Sequence, residues 1–131
     1  MQRDATVSPS EVIRPSGVDQ RFLDAYRIRK TDEYSSVFAF RRAFKGRYVV
    51  VHYRPNDLGT ARLGVVVAKK LAKRANLRNL VKRIVREQFR KIRHALVPHD
   101  LVVRLNAPVG EATRAMINDD VARQLERFRR S

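Results

Sequence analysis

The strongest constraint on the fold is a basic segment in which cations and core-forming residues recur with the period of a helix. Between Lys69 and Arg93 the chain carries eleven Lys and Arg residues and one acid, Glu87. At about 100° per residue, the basic residues fall mainly on one side of a helical wheel, with Phe89 near the border. The segment predicts one long helix that packs on a sheet through Leu77, Leu80, Val81, Ile84, Val85 and Ile92.

The single sign of the charged face favours a polyanionic partner. The chain has 29 Lys and Arg against 13 Asp and Glu, and this net charge of +16 repels itself unless an anion neutralises it. Nucleic acid is the favoured partner, and an anionic membrane surface is the weaker alternative. No apolar run reaches the roughly 20 residues of a membrane-spanning helix, and no secretory signal is recognisable. The absence of cysteine fits a cytoplasmic location.

The first part of the chain predicts an extension followed by a short helix. Residues 1–22 are rich in Ser, Pro, Gly and charge, and they predict a disordered extension. Thr31 is predicted to cap a helix that has acids in its first turn and ends near Arg42–Gly46. Tyr34 and Phe38 share one face of this helix. Two roles stay open for them, namely core packing and stacking on an unpaired base.

The remaining sequence predicts three strands and a C-terminal helix. Residues 48–54 and 61–70 are rich in β-branched residues and flank a PNDLG loop, so they predict two strands paired antiparallel. Residues 100–105 predict another strand. A helical period of apolar residues then predicts an amphipathic helix that carries Ile117, Val121, Leu125 and Phe128 on one face.

The sequence offers little for catalysis by the protein itself. The three histidines, His52, His94 and His99, do not have the spacing of metal ligands on a helix. Asp119 and Asp120 are adjacent and predict the start of a helix rather than a catalytic pair. Neither a phosphate-binding glycine loop nor a nucleophile motif of the GxSxG type is present. These observations favour a binding protein over a self-sufficient nuclease.

The segments RLGVVVAKK and RNLVKRIVREQF resemble the protein subunit of bacterial ribonuclease P. That family has a strand ending in Val-(Ser/Ala)-Lys-Lys, matched here by Lys69 and Lys70. Its next helix has an Arg-Asn-Arg core followed by a Lys-Arg pair and a further arginine. RIRKTDEYSSVF and HDLVVRL are similar to the family's first helix and last strand. The chain departs from the family at Leu80, which stands at the third position of the core matched by Arg78, Asn79, Lys82, Arg83, Arg86 and Glu87.

The resemblance implies a fold and a function. The fold would be α+β, a two-layer α/β sandwich in the order αβββαβα. Its mixed four-stranded sheet would contain a left-handed β-α-β crossover, an exception to the usual right-handed rule. The domain would span residues 23–131. In this family a large RNA is the catalyst and removes the 5′ leader of precursor tRNA, so the isolated chain is expected to be inactive.

The resemblance also implies which residues bind RNA. Tyr34 and Phe38 would contact the single-stranded leader, and Mg²⁺ would be held mainly by the partner RNA. No small-molecule substrate and no membrane partner are expected. The alternative is a general RNA-binding or ribosome-associated protein without a cleavage partner. In either case the expected RNA contacts are Lys69, Lys70, Lys73, Arg74, Arg78, Asn79, Lys82, Arg83, Arg86 and Arg90.

Overall fold

The computed structural model describes residues 26–110 and 113–130 of the 131-residue chain. The proposed extension, residues 1–22, lies outside the described residues. The elements follow one another in the predicted order αβββαβα, with a short 3₁₀ turn after the second helix. They are α1 (Thr31–Ala39), β1 (Ala43–Lys45), β2 (Val49–Pro55), β3 (Arg62–Val66), α2 (Ala75–Ile92), β4 (His99–Leu105) and α3 (Arg114–Glu126).

The sheet has the strand order β1-β2-β4-β3. The prediction that β2 and β3 pair antiparallel is wrong, because β4 lies between them, antiparallel to β2 and parallel to β3. Leu101, Val102 and Val103 are all buried, and a strand buried on both faces belongs in the centre of a sheet. The mixed sheet with a β3-α2-β4 crossover is therefore confirmed, and the left-handed sense of that crossover stays a prediction.

The helices cover the two faces of the sheet unequally. α2 and α3 pack on one face and form the main core with alternate residues of β4, such as Leu101 and Val103. α1 packs on the other face around Val102 and Val37, forming a smaller cluster. Because side chains alternate along a strand, this division assigns each residue of the sheet to the α2 side or the α1 side.

The predicted apolar face of α2 is the face that is buried. Val81, Ile84 and Val85 lie in the main core. Phe89, which falls at the border of the helical wheel, is fully buried in the main core, which also contains residues of α3. Lys91, the one base on the apolar side of the wheel, is exposed near the end of the helix.

The prediction that Asp119 and Asp120 begin a helix is wrong, because both lie in the middle of α3. Asp120 is only 2% exposed. Its carboxylate accepts hydrogen bonds from the backbone N–H groups of Arg47, Tyr48 and Val49 at 3.2, 2.8 and 3.1 Å. A Cβ at Gly46 would lie 2.6 Å from the same carboxylate. Asp120 therefore joins α3 to the start of β2.

α1 differs from its prediction at both ends. Lys30 rather than Thr31 occupies the cap position, and Glu33 accepts hydrogen bonds from the backbone N–H groups of Arg29 and Lys30, each at 3.2 Å. The helix ends at Ala39, several residues before the predicted end. Arg41 follows with a φ of 61°, a left-handed conformation that stops a helix. The three residues of β1 then pair with β2, a register that local sequence does not reveal.

Candidate nucleic-acid interface

The predicted RNA contacts lie on α2 and on the loop before it. Lys69, Lys70, Lys73 and Arg74 are exposed in that loop, which joins β3 to α2. α2 has no acid in its first turn, and its 18 residues are about 27 Å long. Along it Asn79, Arg83 and Arg86 are exposed and Arg78, Lys82 and Arg90 are half-buried. These ten residues are called the basic face of α2.

Two members of the basic face also hold the protein together. Arg78 donates from Nη1 to the backbone oxygens of Ala72 and Lys73, both at 3.0 Å. It thereby fixes the loop that carries the lysines against the first turns of α2. Arg90 forms an ion pair with Glu87, and the Arg90 guanidinium lowers the pKa of that carboxyl. Arg78 and Arg90 therefore have structural partners that Arg83 and Arg86 lack among the described residues.

Leu80 lies where the sequence placed it, toward the apolar side of α2. It is half-buried against the main core. With Ile84 and Ala115 it lines a groove of about 580 Å³ between α2 and α3. Nearby, Gln88 donates to Asn118 at 2.8 Å, which joins the two helices. Packing thus accommodates an apolar residue at the position where the family pattern has an arginine.

The two aromatic residues of α1 lie against the α1 side of the sheet. A Cβ at Gly64 would come within 2.6 Å of the Tyr34 ring, so the ring packs directly on the backbone of β3. Phe38 packs edge to face on His52 of β2, with 4.7 Å between ring centroids. Both aromatic side chains are half-buried. They therefore pack on the sheet and still present part of their surface to solvent.

A polar network anchors the start of α1. Arg62 donates to both carboxylate oxygens of the buried Asp100, each at 2.9 Å, and to Glu33 of α1 at 3.1 Å. Hydrogen bonds to Asp100 raise the pKa of Arg62 above its ordinary value. Because Asp100 and Arg62 are opposite one another on β4 and β3, the network holds α1 across the sheet.

The sheet register identifies cations that sequence analysis missed. Arg104 lies opposite Val50 and Val66, and Val50 lies opposite Lys45. This row of residues faces the same side of the sheet as α1. It lies two residues along each strand from the row of residues that α1 covers. Arg104 is half-buried and donates from Nε to Nε2 of His52 at 3.2 Å. The arginine near the end of HDLVVRL was the available signal, but its neighbours across the sheet depend on the register.

His52 is placed between Phe38 and Arg104. Burial, followed by the charge of Arg104, lowers the pKa of His52, so its imidazole is neutral at pH 7. Within residues 26–110 and 113–130, no three His, Asp or Glu side chains are grouped in a way that could hold a metal ion. No helix in the described part of the chain is long and apolar enough to cross a membrane.

Comparison with known proteins identifies the family. The family model described as Ribonuclease P matches residues 22–129. The ribonuclease P protein component of Aromatoleum aromaticum is 81% identical over 113 residues, which are 86% of this chain and 95% of that protein. The corresponding protein of Azoarcus sp. is 70% identical over 107 residues, which are 82% of this chain and 89% of that protein.

Solved structures agree with this assignment. The ribonuclease P protein of Staphylococcus aureus superimposes with a TM-score of 0.66 at 29% identity, covering 80% of this chain and 93% of that one. The Thermotoga maritima protein gives a TM-score of 0.65 at 26% identity, covering 79% and 98%. The chain belongs to the ribonuclease P protein family of bacteria.

Proposed function

We propose that this chain is the protein subunit of the ribonuclease P holoenzyme, which removes the 5′ leader from precursor tRNA. In this proposal the basic face of α2 binds the catalytic RNA and the α1 side of the sheet binds the single-stranded leader. One observation carries the proposal. A single-signed basic helix and a pair of half-buried aromatic rings lie on the two faces of one small sheet.

The basic face of α2 suits an RNA backbone. Lysine and arginine bind phosphates largely without regard to sequence, and binding releases the counterions that surround the nucleic acid. The helical cations of this face, from Arg78 to Arg90, are spaced along about 18 Å of helix, which suits the extended charge of a polynucleotide. Asn79, exposed beside Arg78, adds an amide for a base edge or a 2′-hydroxyl.

The aromatic side suits unpaired bases. Stacking of a base on an aromatic ring contributes about 1–3 kcal/mol per base and depends little on which base is present. Tyr34 and Phe38 keep exposed ring surface while the sheet fixes their orientation. A leader of variable sequence needs this kind of contact.

The chemistry is assigned to the partner RNA. The described residues of the protein form no carboxylate cluster that fits Mg²⁺, so the proposal assigns the catalytic Mg²⁺ to the RNA and expects the isolated chain to be inactive. The protein contributes by positioning the leader and by reducing the repulsion between two polyanions. That reduction lowers the concentration of free Mg²⁺ that the reaction needs. The site of action is the cytoplasm, where precursor tRNA is processed.

Reconstitution tests the proposal. The purified protein is mixed with its cognate ribonuclease P RNA and a labelled precursor tRNA at limiting Mg²⁺. Protein-dependent cleavage at the mature 5′ end is expected, with no cleavage by the protein alone. Tight RNA binding without stimulation of cleavage would instead favour a general RNA-binding or ribosome-associated protein. Cleavage by the protein without RNA would contradict both functions.

A further inference from the structure

We infer that the groove between α2 and α3 binds one unpaired nucleotide of the catalytic RNA, with its base on an apolar floor and its phosphate between two arginines. Leu80, Ile84 and Ala115 form the floor, and the arginines are Arg83 and Arg114. The inference rests on the proposed function, because it names a contact with the same catalytic RNA. It gives a role to α3, which contributes to neither the basic face of α2 nor the aromatic pair.

The α2 wall of the groove lies where the basic face of this helix meets its apolar side. The groove residues of α2 recur at i, i+3, i+4 and i+7, a spacing that aligns side chains along one side of a helix. They are Leu80, Arg83, Ile84 and Glu87. Arg83 belongs both to the groove and to the basic face, so RNA that lies along the basic face passes directly beside the groove.

The floor of the groove is apolar and has room for a base. Leu80, at the position where the family pattern has an arginine, is half-buried, and Ile84 is 8% exposed. Ala115 is exposed on α3, and its small side chain leaves the groove open. The volume of about 580 Å³ lies within the range of about 300–1,000 Å³ that is usual for small-ligand sites. A flat base with its sugar therefore suits the groove.

Two arginines on opposite walls of the groove supply the charge for a phosphate. Arg83 of α2 and Arg114 of α3 are both exposed, and neither forms an ion pair within the described part of the chain. α3 has no acid in its first turn, so the positive end of its dipole adds to their charge. The acid that lines the groove, Glu87, is already paired with Arg90. The groove therefore favours an anion.

Two polar side chains of the groove can bind the edge of a base. Asn118 accepts a hydrogen bond at Oδ1 from Gln88 at 2.8 Å, which leaves its amide N–H groups as donors. The hydrogen bond from Arg90 lowers the pKa of the Glu87 carboxyl, and a carboxylate has lone pairs for further donors. Adenine, cytosine and guanine carry an amine that can donate to Glu87 and an acceptor for Asn118, whereas uracil lacks the amine.

A purely structural explanation of the groove makes a different prediction. Two packed helices leave a gap wherever a small residue faces it, and Ala115 is such a residue. If the groove were only a gap of this kind, a change at Ala115 would leave every RNA contact unchanged. The two arginines at its rim and its continuity with the basic face favour a nucleotide over an apolar segment of a protein.

The test is chemical footprinting of the cognate catalytic RNA with reagents that modify the base-pairing edges of unpaired bases. Ala115→Glu places a carboxylate in the groove, where it can pair with the two arginines and occupy the position of the phosphate. An acid in the first turn of α3 suits the helix dipole, so this variant should remain folded, as its melting temperature will show. Arg114→Gln and Arg123→Gln form a matched pair, because both remove an exposed charge from α3 and only Arg114 lines the groove.

The expected result is the selective loss of one protected base. The wild type should protect at least one unpaired adenine, cytosine or guanine of the catalytic RNA. Ala115→Glu should make that base reactive, keep the other protections and weaken RNA binding about tenfold, the effect of one lost base contact. Arg114→Gln should weaken binding about two- to fivefold and lower the slope of log K against log salt by about 0.7. Arg123→Gln should behave as the wild type.

Three outcomes would overturn the inference. They are identical footprints of the wild type and Ala115→Glu, equal RNA affinities of Arg114→Gln and Arg123→Gln, and a loss of all protections in folded Ala115→Glu, which would mean that its charge acts on the whole interface. In each case a wild type that binds the catalytic RNA and stimulates cleavage leaves the proposed function intact. Failure of the wild type to do so would contradict the proposed function as well.

Discussion

The basic face of α2 and the aromatic side of the sheet are built in different ways. The basic face lies on one helix, so its geometry follows from the period of a single segment, Ala75–Ile92. The aromatic side combines α1 with residues from four strands, and its contacts depend on the register. A change on the first surface should therefore alter one charge, whereas a change on the second should alter the relative positions of several groups.

The largest expected effect is a loss of stability, and it concerns the contact that joins α3 to the start of β2. Asp120→Ala would leave three backbone N–H groups near the start of β2 without their acceptor, at a cost of about 3 kcal/mol in the free energy of unfolding. Asp119→Ala, at the exposed neighbouring position, should change stability by less than about 0.5 kcal/mol. Urea unfolding of both variants measures the difference, and equal stabilities would show that Asp120 does not join α3 to β2.

A second prediction concerns the charge of the basic face. Arg86→Gln should weaken binding of the catalytic RNA and reduce the slope of log K against log salt by about 0.7 to 0.9, because one phosphate contact is lost. Lys91→Gln removes another exposed charge, on a different side of α2, and should leave the slope unchanged. Filter binding across a range of salt concentrations compares the two. Equal slopes in both variants would mean that RNA binding reflects only the net charge of the chain.

A third prediction concerns the contact between Gly64 and Tyr34. Gly64→Ala would place a Cβ 2.6 Å from the Tyr34 ring and displace it, so leader affinity should fall by up to about 1–3 kcal/mol. Tyr34→Ala should give a similar loss, and the double variant should lose no more than Tyr34→Ala alone. Additive losses in holoenzyme binding would show that Gly64 acts independently of the Tyr34 ring.

The smallest expected effect concerns pH. Burial lowers the pKa of His52 on the α1 side and of His99, which lies near Phe128 in the α2-side core. A histidine with a lowered folded-state pKa contributes stability above its unfolded pKa of about 6.5, and this contribution is lost as the pH falls below that value. His52→Gln should therefore reduce the loss of melting temperature between pH 7.5 and pH 5.5, and His52→Gln with His99→Gln should reduce it further.

Carboxyl groups act in a lower pH range. The pKa values of Glu33, Glu87 and Glu126 are lowered in the folded protein. Their contribution to the free energy of unfolding is therefore lost only as the pH falls below about 4.5. The two histidines therefore account for the expected change between pH 7.5 and pH 5.5. An unchanged pH profile in the double histidine variant would contradict this assignment.

The sequence predicted the helices and strands that depend on the pattern of neighbouring residues along the chain. The helical period placed α2 and its buried side, and the β-branched residues of 48–54 and 100–105 indicated β2 and β4. It failed where contacts are distant in the sequence. The pairing of β2 with β4 and the bonds of Asp120 to the start of β2 depend on contacts 44 or more residues apart, and the three-residue strand β1 depends on the sheet as a whole.

The candidate site divides in the same way. The cations of the basic face and the pair Tyr34 and Phe38 were identified from spacing and from the family resemblance. Arg104 and Lys45 were not, because only the register places them on one side of the sheet. Phe89 lies at the border of the helical wheel yet is fully buried, because a wheel does not show which other elements pack against a helix.

The most direct test of the two-surface account is the binding of precursor and mature tRNA by a holoenzyme that contains Phe38→Leu. Leucine keeps an apolar side chain against His52 and removes the ring that stacks. The variant holoenzyme should bind precursor tRNA about tenfold more weakly, with unchanged affinity for mature tRNA and for the catalytic RNA. Equal weakening for precursor and mature tRNA, with the protein still folded, would contradict the assignment of the leader to the α1 side.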